Sequence, residues 1–160
     1  MKPLPATLLA LAIGLPALLL LAGRLDLLAG RRPDDLGARD GLLKPPAARS
    51  WNSVSSQARL HAHTDYHVIA PLAYQGDGKA AFARLTGIVR AMPGATVINA
   101  TPGYLYAEFR TPWLRFVDDA EFLLDERDHV IHMRSASRLG RKDFGVNRKR
   151  LEDVRARFGS

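Results

Sequence analysis

Two regions of the chain repeat apolar residues at steps of three and four, the spacing that places side chains on one face of an α-helix. The first predicts a helix over 78–92, capped by Asp77 and stopped by Pro93-Gly94. The second predicts an amphipathic helix over 146–158. The apolar stripes consist of Phe82, Leu85, Val89 and Met92 in the first helix, and of Val146, Leu151, Val154 and Phe158 in the second.

Four shorter runs between these helices are strand-like, with apolar and polar residues in alternation. They are "ATVINA", "YLYAEFRT", "RFVDDAEFLLD" and "HVIHMRSASR". The turns that separate them are too short for parallel crossovers, so the strands are predicted to pair antiparallel. We therefore predict an α+β fold: a four- to five-stranded antiparallel sheet with both helices packed on one face, preceded by an N-terminal membrane helix.

The other face of this sheet is predicted to be polar and open to solvent. By alternation it carries Glu108, Arg110, Asp119, Glu121, His132 and Arg134. Two interpretations remain open: a cross-strand ladder of opposite charges, or an acid/base patch in which carboxylates and His132 transfer protons. Asp118 points towards the core instead. Because an unpaired charge is costly there, we expect Asp118 to be buried with a partner.

The N-terminal stretch 3–22 contains no charged side chain and is almost entirely apolar. A helix of this length, at about 1.5 Å per residue, matches a hydrocarbon core of about 30 Å, so we predict a retained transmembrane anchor. Cleavage of a signal segment remains open, because residues 22–23 are small. Arg24, Arg31 and Arg32 favour a cytoplasmic domain, whereas a signal anchor places the domain outside. We expect a single-pass protein of the bacterial inner membrane with a periplasmic domain.

Changes in composition divide the chain into three parts. Residues 1–23 form the anchor or signal segment. Residues 24–58 are rich in Pro, Gly and mixed charges without a sustained period, which is typical of a linker. Residues 59–160 are predicted to form the α+β domain.

The net charge of +7 favours an anionic partner, and the absence of cysteine excludes disulfides and thiolate chemistry. Eight basic and three acidic residues place a net charge of +5 within 138–157. We do not expect nucleic-acid binding, because Phe144 is the lone aromatic residue between Arg138 and Arg157. Asp143 is instead placed to cap the helix that follows it.

No nucleophile, phosphate-binding or dinucleotide-binding motif is present, and Ser53, Ser55 and Ser56 lack an identifiable base. His61, His63, Asp65 and His67 alternate and could begin a metal site on a strand. Neighbouring ligands on one strand lie about 6–7 Å apart, too far to close a tetrahedron unaided. We therefore predict neither a metal nor a cofactor.

Specific motifs in the chain point to a known family: the segments "FVDDAEF" and "RSASR" and the pattern D-x-G-V-N-R-K-R. Together with "AEFRTPWLRFVDD", "HVIAPL" and "WNSVSS", they resemble the family known as domain of unknown function 1499 over roughly 33–158. In that family a cysteine usually occupies the position of Ser53, so a thiol role is not expected here. Members often follow an N-terminal membrane segment, and we expect a membrane-anchored bacterial member.

The resemblance implies no activity, but it singles out polar residues around the last strand and the last helix. These residues either tie the strand to the helix or line a small anion-binding pocket at the helix N-terminus. Whether the protein is an enzyme stays open. We expect a non-enzymatic envelope protein that binds a small anionic ligand, a lipid headgroup or a partner protein; the alternative is a hydrolase or other acid/base enzyme using Asp119, Glu121 and His132. The candidate binding residues are Asp118, Asp119, Glu121, Arg134, Ser135, Ser137, Arg138, Asp143, Asn147 and Arg148.

Overall fold

The computed structural model describes residues 6–159 and contains three α-helices and six strands in that range. Short 3₁₀ turns at Ala58–Leu60 and Asp65–His67 connect the first two strands. In chain order the elements are α1 (Ala6–Arg24), β1 (Ser53–Ser55), β2 (Leu72–Ala73), α2 (Gly78–Arg90), β3 (Ala95–Thr101), β4 (Tyr104–Arg110), β5 (Val117–Asp125), β6 (Val130–Ser137) and α3 (Val146–Phe158). The predicted α+β class is confirmed.

The six strands form one antiparallel sheet in the order β1-β6-β5-β4-β3, and β2 also pairs with β6. β3 to β6 form the predicted meander, with Ala120 opposite Ala107 on one side and Ser135 on the other. The strand count was underestimated because β1 and β2 have only three and two residues. Such short strands cannot show the alternation by which strands are recognised in a sequence.

The apolar core lies between one face of the sheet and the helices α2 and α3. Asp77 caps α2 as predicted and accepts hydrogen bonds from the backbone of Lys79 and Ala80. Val146 is an exception to the predicted stripe of α3, because it is 44% exposed at the first turn of the helix. The main side chains of the core are Leu105, Phe109, Phe122, Ile131 and Met133 from the sheet, and Phe82, Leu85, Val89, Leu151, Val154 and Phe158 from the helices.

The polar face of the sheet is covered, which corrects the prediction of an open face. Residues 25–50, here called the N-terminal arm, reach across it: the Gly37 amide donates to Glu121 and the Arg32 side chain donates to Glu108. Leu43 is buried and its amide donates to Gln57 Oε1 at 2.8 Å. Asp119 and Glu121 are therefore only 2% and 0% exposed.

The predicted transmembrane span is wrong: within residues 6–159 no helix is both long and apolar enough to cross a membrane. The last turn of α1 packs on the domain, where a Cβ added to Gly23 would lie 2.7 Å from the Leu114 carbonyl oxygen. The expected single-pass inner-membrane localisation is thereby contradicted. Lys2 and the rest of 1–5 lie outside the described residues.

Candidate functional site

One group of predicted site residues forms a buried ion-pair lattice on the polar face. Arg134 Nη1 donates to Glu121 Oε2 at 2.9 Å, and both side chains are almost fully buried. Glu121 Oε1 also accepts from the Tyr104 hydroxyl and the Gly37 amide, each at 2.8 Å. Every contact of this carboxylate therefore comes from a strand neighbour or from the N-terminal arm.

Arg138 organises the second half of the lattice. Its Nη2 donates to Asp119 Oδ1 at 2.7 Å and also to Glu108 Oε1 and the Tyr106 hydroxyl. Arg32 from the arm reaches Glu108 from the other side. The Nε and Nη2 groups of Arg138 thus donate to acceptors from two neighbouring strands, as is typical of a buried arginine.

The pKa shifts of this lattice favour fixed charges over proton transfer. Burial, followed by the nearby carboxylates of Glu121 and Asp119, raises the pKa values of Tyr104 and Tyr106 respectively. Burial alone would raise the pKa of Glu108, but hydrogen bonds from Arg138 and Arg32 lower it below its usual value. The tyrosines therefore remain hydrogen-bond donors at neutral pH, and Glu108 remains ionised.

On the opposite face of the sheet, a second network joins β6 to α3. Asn147 Oδ1 accepts from the Ser135 hydroxyl at 2.6 Å and from Arg150 Nη1 at 2.7 Å. Asn147 Nδ2 donates to Ser137 Oγ at 2.9 Å. Arg150 also reaches Asp118 Oδ2 at 2.6 Å, so the expectation of a buried, paired Asp118 is confirmed.

Asp143 closes the N-terminus of α3, as predicted. Its Oδ1 accepts from the Gly145 amide at 3.0 Å and its Oδ2 from the Asn147 amide at 3.1 Å. The Tyr66 hydroxyl donates to the same carboxylate. Burial would raise the pKa of Asp143, but these hydrogen bonds lower it, and burial next to Asp143 raises the pKa of Tyr66 to about 12. The Gly145 and Asn147 amides, which could otherwise bind an anion at this helix end, are therefore already bound by a side chain of the chain itself.

The sheet separates the predicted site residues into two sets. Asp119, Glu121, Arg134 and Arg138 lie under the N-terminal arm, whereas Asp118, Ser135, Ser137, Asp143 and Asn147 lie between β6 and α3. Arg148 stands apart and donates to the carbonyl oxygens of Tyr66 and Val68 at 2.8 and 2.9 Å. All ten side chains contact other residues of the chain, and for the five between β6 and α3 this favours the interpretation that they tie the strand to the helix.

An exposed surface lies beside this second network. Phe144, the residue after the capping Asp143, is 94% exposed, with φ of +53°. Lys142 Nζ lies 5.0 Å from the ring centre of Trp51, which is 47% exposed. Trp51, Tyr66, Lys142 and Phe144 line a cavity of about 390 Å³ and are here called the aromatic–basic surface.

A second groove, of about 290 Å³, lies on the other side of Phe144. It is lined in part by Phe116, Leu139 and Val146, all of which are more than a third exposed. Lys142 and Phe144 line both cavities. The aromatic–basic surface is therefore continuous with an apolar groove, and a lysine lies at the boundary.

His132 lies in a different cavity, of about 740 Å³, near the start of β6. Its Nδ1 is 3.2 Å from Ser56 Oγ, and its Nε2 is 3.6 Å from Asp125 Oδ2. Asp119 and Glu121 are engaged by Arg138 and Arg134 instead. The geometry gives no support to an acid/base enzyme built from those two carboxylates and His132.

Two of the three alternating histidines near the start of the domain, His63 and His67, have structural contacts. His67 Nδ1 accepts from the Thr64 amide at 2.9 Å, so its protonated Nε2 donates to the Ser50 carbonyl oxygen at 2.7 Å. His63 Nδ1 contacts the His61 carbonyl oxygen. Over residues 6–159, no group of three or more His, Cys, Asp or Glu side chains is placed to hold a metal ion.

Several participants in these sites were not predicted from the sequence. Arg150 lies three residues after Asn147, so helical spacing could have indicated that both face the same strand. Lys142 and Phe144 lie in the glycine-flanked turn 140–145, where an aromatic residue is more exposed than in a strand. Ser56 gave no signal, because it is distant from His132 in sequence, and Asp125 gave none, because alternation does not say which residues of neighbouring strands meet.

The fold and the site define an α+β domain whose sheet is stabilised by buried ion pairs and whose exposed aromatic–basic surface lies at the strand-to-helix joint. A family model described as "Protein of unknown function (DUF1499)" matches residues 45–158. The chain belongs to this family. A comparison with curated proteins found no match, and a comparison with solved structures found none either.

Proposed function

We propose that this protein is a binding domain for small amphipathic anions, meaning molecules with an apolar chain and a single phosphate or carboxylate head. The observation that carries the proposal is the 94% exposure of Phe144 beside Lys142. A fully exposed phenyl ring contributes nothing to folding, whereas covering it with an apolar ligand is worth about 1.5–3 kcal/mol. Exposed apolar groups rimmed by polar residues are typical of interaction sites.

The apolar part of the ligand would lie against Phe144. Cavities of about 390 and 290 Å³ flank this ring, and each is close to the lower end of the usual size range of ligand pockets. Trp51 and Tyr66 form the wall of the first cavity, and Leu139 and Val146 belong to the wall of the second. A flexible chain fits this divided surface better than a large rigid ring system does.

The anionic head would be held by Lys142. Among the contacts of residues 6–159, Lys142 has a cation–π contact with Trp51 and no ion pair with a carboxylate. Asp143, the nearest acid in sequence, is occupied by Tyr66, Gly145 and Asn147. The net charge of +5 over 138–157 adds a positive local potential, so charge complementarity favours an anion.

The surface is organised before any ligand arrives. The Asp143 amide donates to the Trp51 carbonyl oxygen at 3.0 Å, and the Trp51 amide donates to the Arg141 carbonyl oxygen at 2.7 Å. These bonds hold Trp51 next to the turn that carries Phe144. A preorganised site loses less conformational entropy on binding, which favours affinity. The role of the predicted residue Asp143 is then to support the ligand site next to it.

The test is a titration of the full-length chain that monitors the fluorescence of Trp51. Trp113→Phe removes the other tryptophan, and the probes are decyl phosphate, decanol and decyltrimethylammonium below their micelle concentrations. Decyl phosphate is expected to bind saturably and more tightly than the other two. Phe144→Ala and Lys142→Glu should each weaken it about tenfold or more, equivalent to about 1.4 kcal/mol.

Two controls separate binding from folding and from general charge. Phe144→Gly removes the ring but suits the positive φ, so it should lose binding while the protein stays at least as stable. Lys149→Glu makes the same charge change at an exposed residue that pairs with Asp153, and should leave the titration unaltered. The proposal fails if all three probes bind alike, or if Phe144→Ala and Lys142→Glu bind decyl phosphate as the parent does.

A further inference from the structure

We propose that Ser56 is a nucleophile towards carboxylic esters, with His132 as its base and Asp125 as the residue that orients this base. The three side chains line the cavity of about 740 Å³, although they belong to different segments of the chain. Ser56 follows β1, Asp125 ends β5 and His132 lies in β6. This activity lies beyond the proposed binding function and uses none of the residues of the aromatic–basic surface.

The hydrogen bonds around Ser56 determine where its proton points. The Met133 amide donates to Ser56 Oγ at 3.0 Å, so the hydroxyl proton of Ser56 is free to be donated elsewhere. His132 Nδ1 lies 3.2 Å from the same oxygen and is positioned to accept that proton. The neutral ring then carries its own proton on Nε2, which faces Asp125 Oδ2 at 3.6 Å. A serine, a base and an orienting carboxylate therefore follow one another in the arrangement that activates a hydroxyl.

The backbone fixes each member of this group. Ser56 N donates to the Met133 carbonyl oxygen at 2.9 Å, which holds the end of β1 against β6. Asp125 pairs with Val130 at the end of the β5–β6 hairpin. Its Oδ1 accepts from the amides of Arg127 and Asp128 at 3.0 and 3.1 Å. Because Oδ1 is used inside the turn, Oδ2 remains available to His132.

The cavity has room and chemistry for an ester. Its lining includes the apolar side chains Leu42, Leu60 and Leu123, which can contact an acyl chain. Arg59 also lines the cavity, is exposed, and is free of carboxylate partners in the part of the chain that the structure describes. Its guanidinium is the charged donor available to an oxygen that becomes negative during the reaction.

The reaction is a two-stage acyl transfer to water. Ser56 Oγ bonds to the ester carbonyl carbon while its proton moves to His132 Nδ1. The bond from that carbon to the alcohol oxygen then breaks, and the departing alcohol takes the proton from Nδ1. In the second stage a water oxygen attacks the acyl carbon and gives a proton to Nδ1. The bond to Ser56 breaks, Oγ recovers the proton, and one carboxylic acid and one alcohol have formed from one ester and one water.

The deciding experiment treats the full-length chain with a fluorophosphonate, which phosphonylates activated serines and releases fluoride. Trypsin produces the peptide 50–59, which contains Ser50, Ser53, Ser55 and Ser56, so fragmentation must locate the adduct. The expected result is a single adduct on Ser56. His132→Gln should slow its formation at least a hundredfold, and Asp125→Asn about tenfold or more. Hydrolysis of p-nitrophenyl butyrate should fall in parallel.

Ser53→Ala is the matched control, because Ser53 Oγ is buried and makes no hydrogen bond within the described residues. It should leave labelling and hydrolysis unchanged. A purely structural Ser56–His132 bond would give the same distances without reactivity. The proposal is overturned if no adduct forms, if it forms on another residue, or if folded His132→Gln labels at the parent rate. Because the adduct is located on the parent protein, the result does not depend on whether a Ser56→Ala variant would fold.

Discussion

Arg150 Nη2 donates to Asp118 Oδ2 at 2.6 Å, and this ion pair joins the middle of α3 to the start of β5 inside the protein. The Arg150 guanidinium also lies 4.7 Å from the ring centre of Phe109 and donates to Ser135 Oγ at 3.0 Å. A helix with an apolar stripe is therefore also held to the sheet by a buried charge. Such a pair restricts how α3 can pack, because other positions would leave a charge buried without a partner.

Removing one member of this pair is expected to be much worse than removing both. Arg150→Ala leaves Asp118 buried and unpaired, and should lower the free energy of unfolding by about 3–5 kcal/mol. Adding Asp118→Ala to this variant should recover part of the lost stability. Urea unfolding of the two single variants and the double variant measures this coupling. Lys149→Ala, which breaks an exposed pair with Asp153, should cost no more than about 0.5 kcal/mol. Equal costs at both pairs would contradict the buried-pair interpretation.

Asp143 should make stability depend on pH in the acidic range. Its pKa in the folded protein is lowered, so its contribution is present above the unfolded value of about 3.9 and is lost as the pH falls through the folded value. Asp143→Asn should therefore reduce stability at pH 7 by about 1–3 kcal/mol and flatten its decline below about pH 5. Unfolding measured from pH 3 to 7 tests this.

Tyr66→Phe provides a graded comparison with Asp143→Asn. It deletes the hydroxyl that donates to Asp143 but keeps the carboxylate and its bonds to the Gly145 and Asn147 amides. The folded pKa of Asp143 should then lie closer to its unfolded value, so the acid decline should be smaller than in the parent protein and should end at a higher pH. An unchanged acid decline in both variants would show that Asp143 is not responsible.

The N-terminal arm should open when its buried anchor is shortened. Leu43→Ala removes a side chain that is 2% exposed, and such truncations cost about 2–5 kcal/mol. Amide exchange at Gly37 and Leu43 should accelerate, because their bonds to Glu121 and Gln57 depend on the arm staying in place. Leu27→Ala, at an exposed leucine in the same arm, should leave this exchange unchanged. If the Gly37 and Leu43 amides exchanged at the same rate in Leu43→Ala and Leu27→Ala, the interpretation of the arm as packed would be contradicted.

Gly94 should tolerate no side chain, because two separate effects act there. Its φ is +74°, and an added Cβ would lie 2.5 Å from the Arg110 carbonyl oxygen. Gly76 has a φ of +76° but open space around the position of a Cβ. Gly76→Ala should therefore show only the conformational cost of about 1 kcal/mol, and Gly94→Ala should cost clearly more. Thermal unfolding of both variants measures the difference, and equal losses would rule out the steric contribution.

The sequence determined the elements whose patterns are local. The apolar stripes of α2 and α3, the cap at Asp77 and the alternation of β3 to β6 all depend on residues close in the chain, and the structure confirms them. The burial of Asp118 with a partner was also predictable, because alternation alone places it on the core side of β5. Its partner Arg150 was not identified, because periodicity does not say which helix position meets which strand.

Only the tertiary structure decided the contacts between distant segments. The N-terminal arm covers the face of the sheet that alternation suggested was open, and β1 and β2 are too short to show a period. Asp119 and Glu121 therefore belong to a buried lattice with Arg138 and Arg134, while His132 lies with Ser56 and Asp125. The physical reason is that periodicity records which side of an element faces the core, whereas the partner of each polar group depends on the packing of the whole chain.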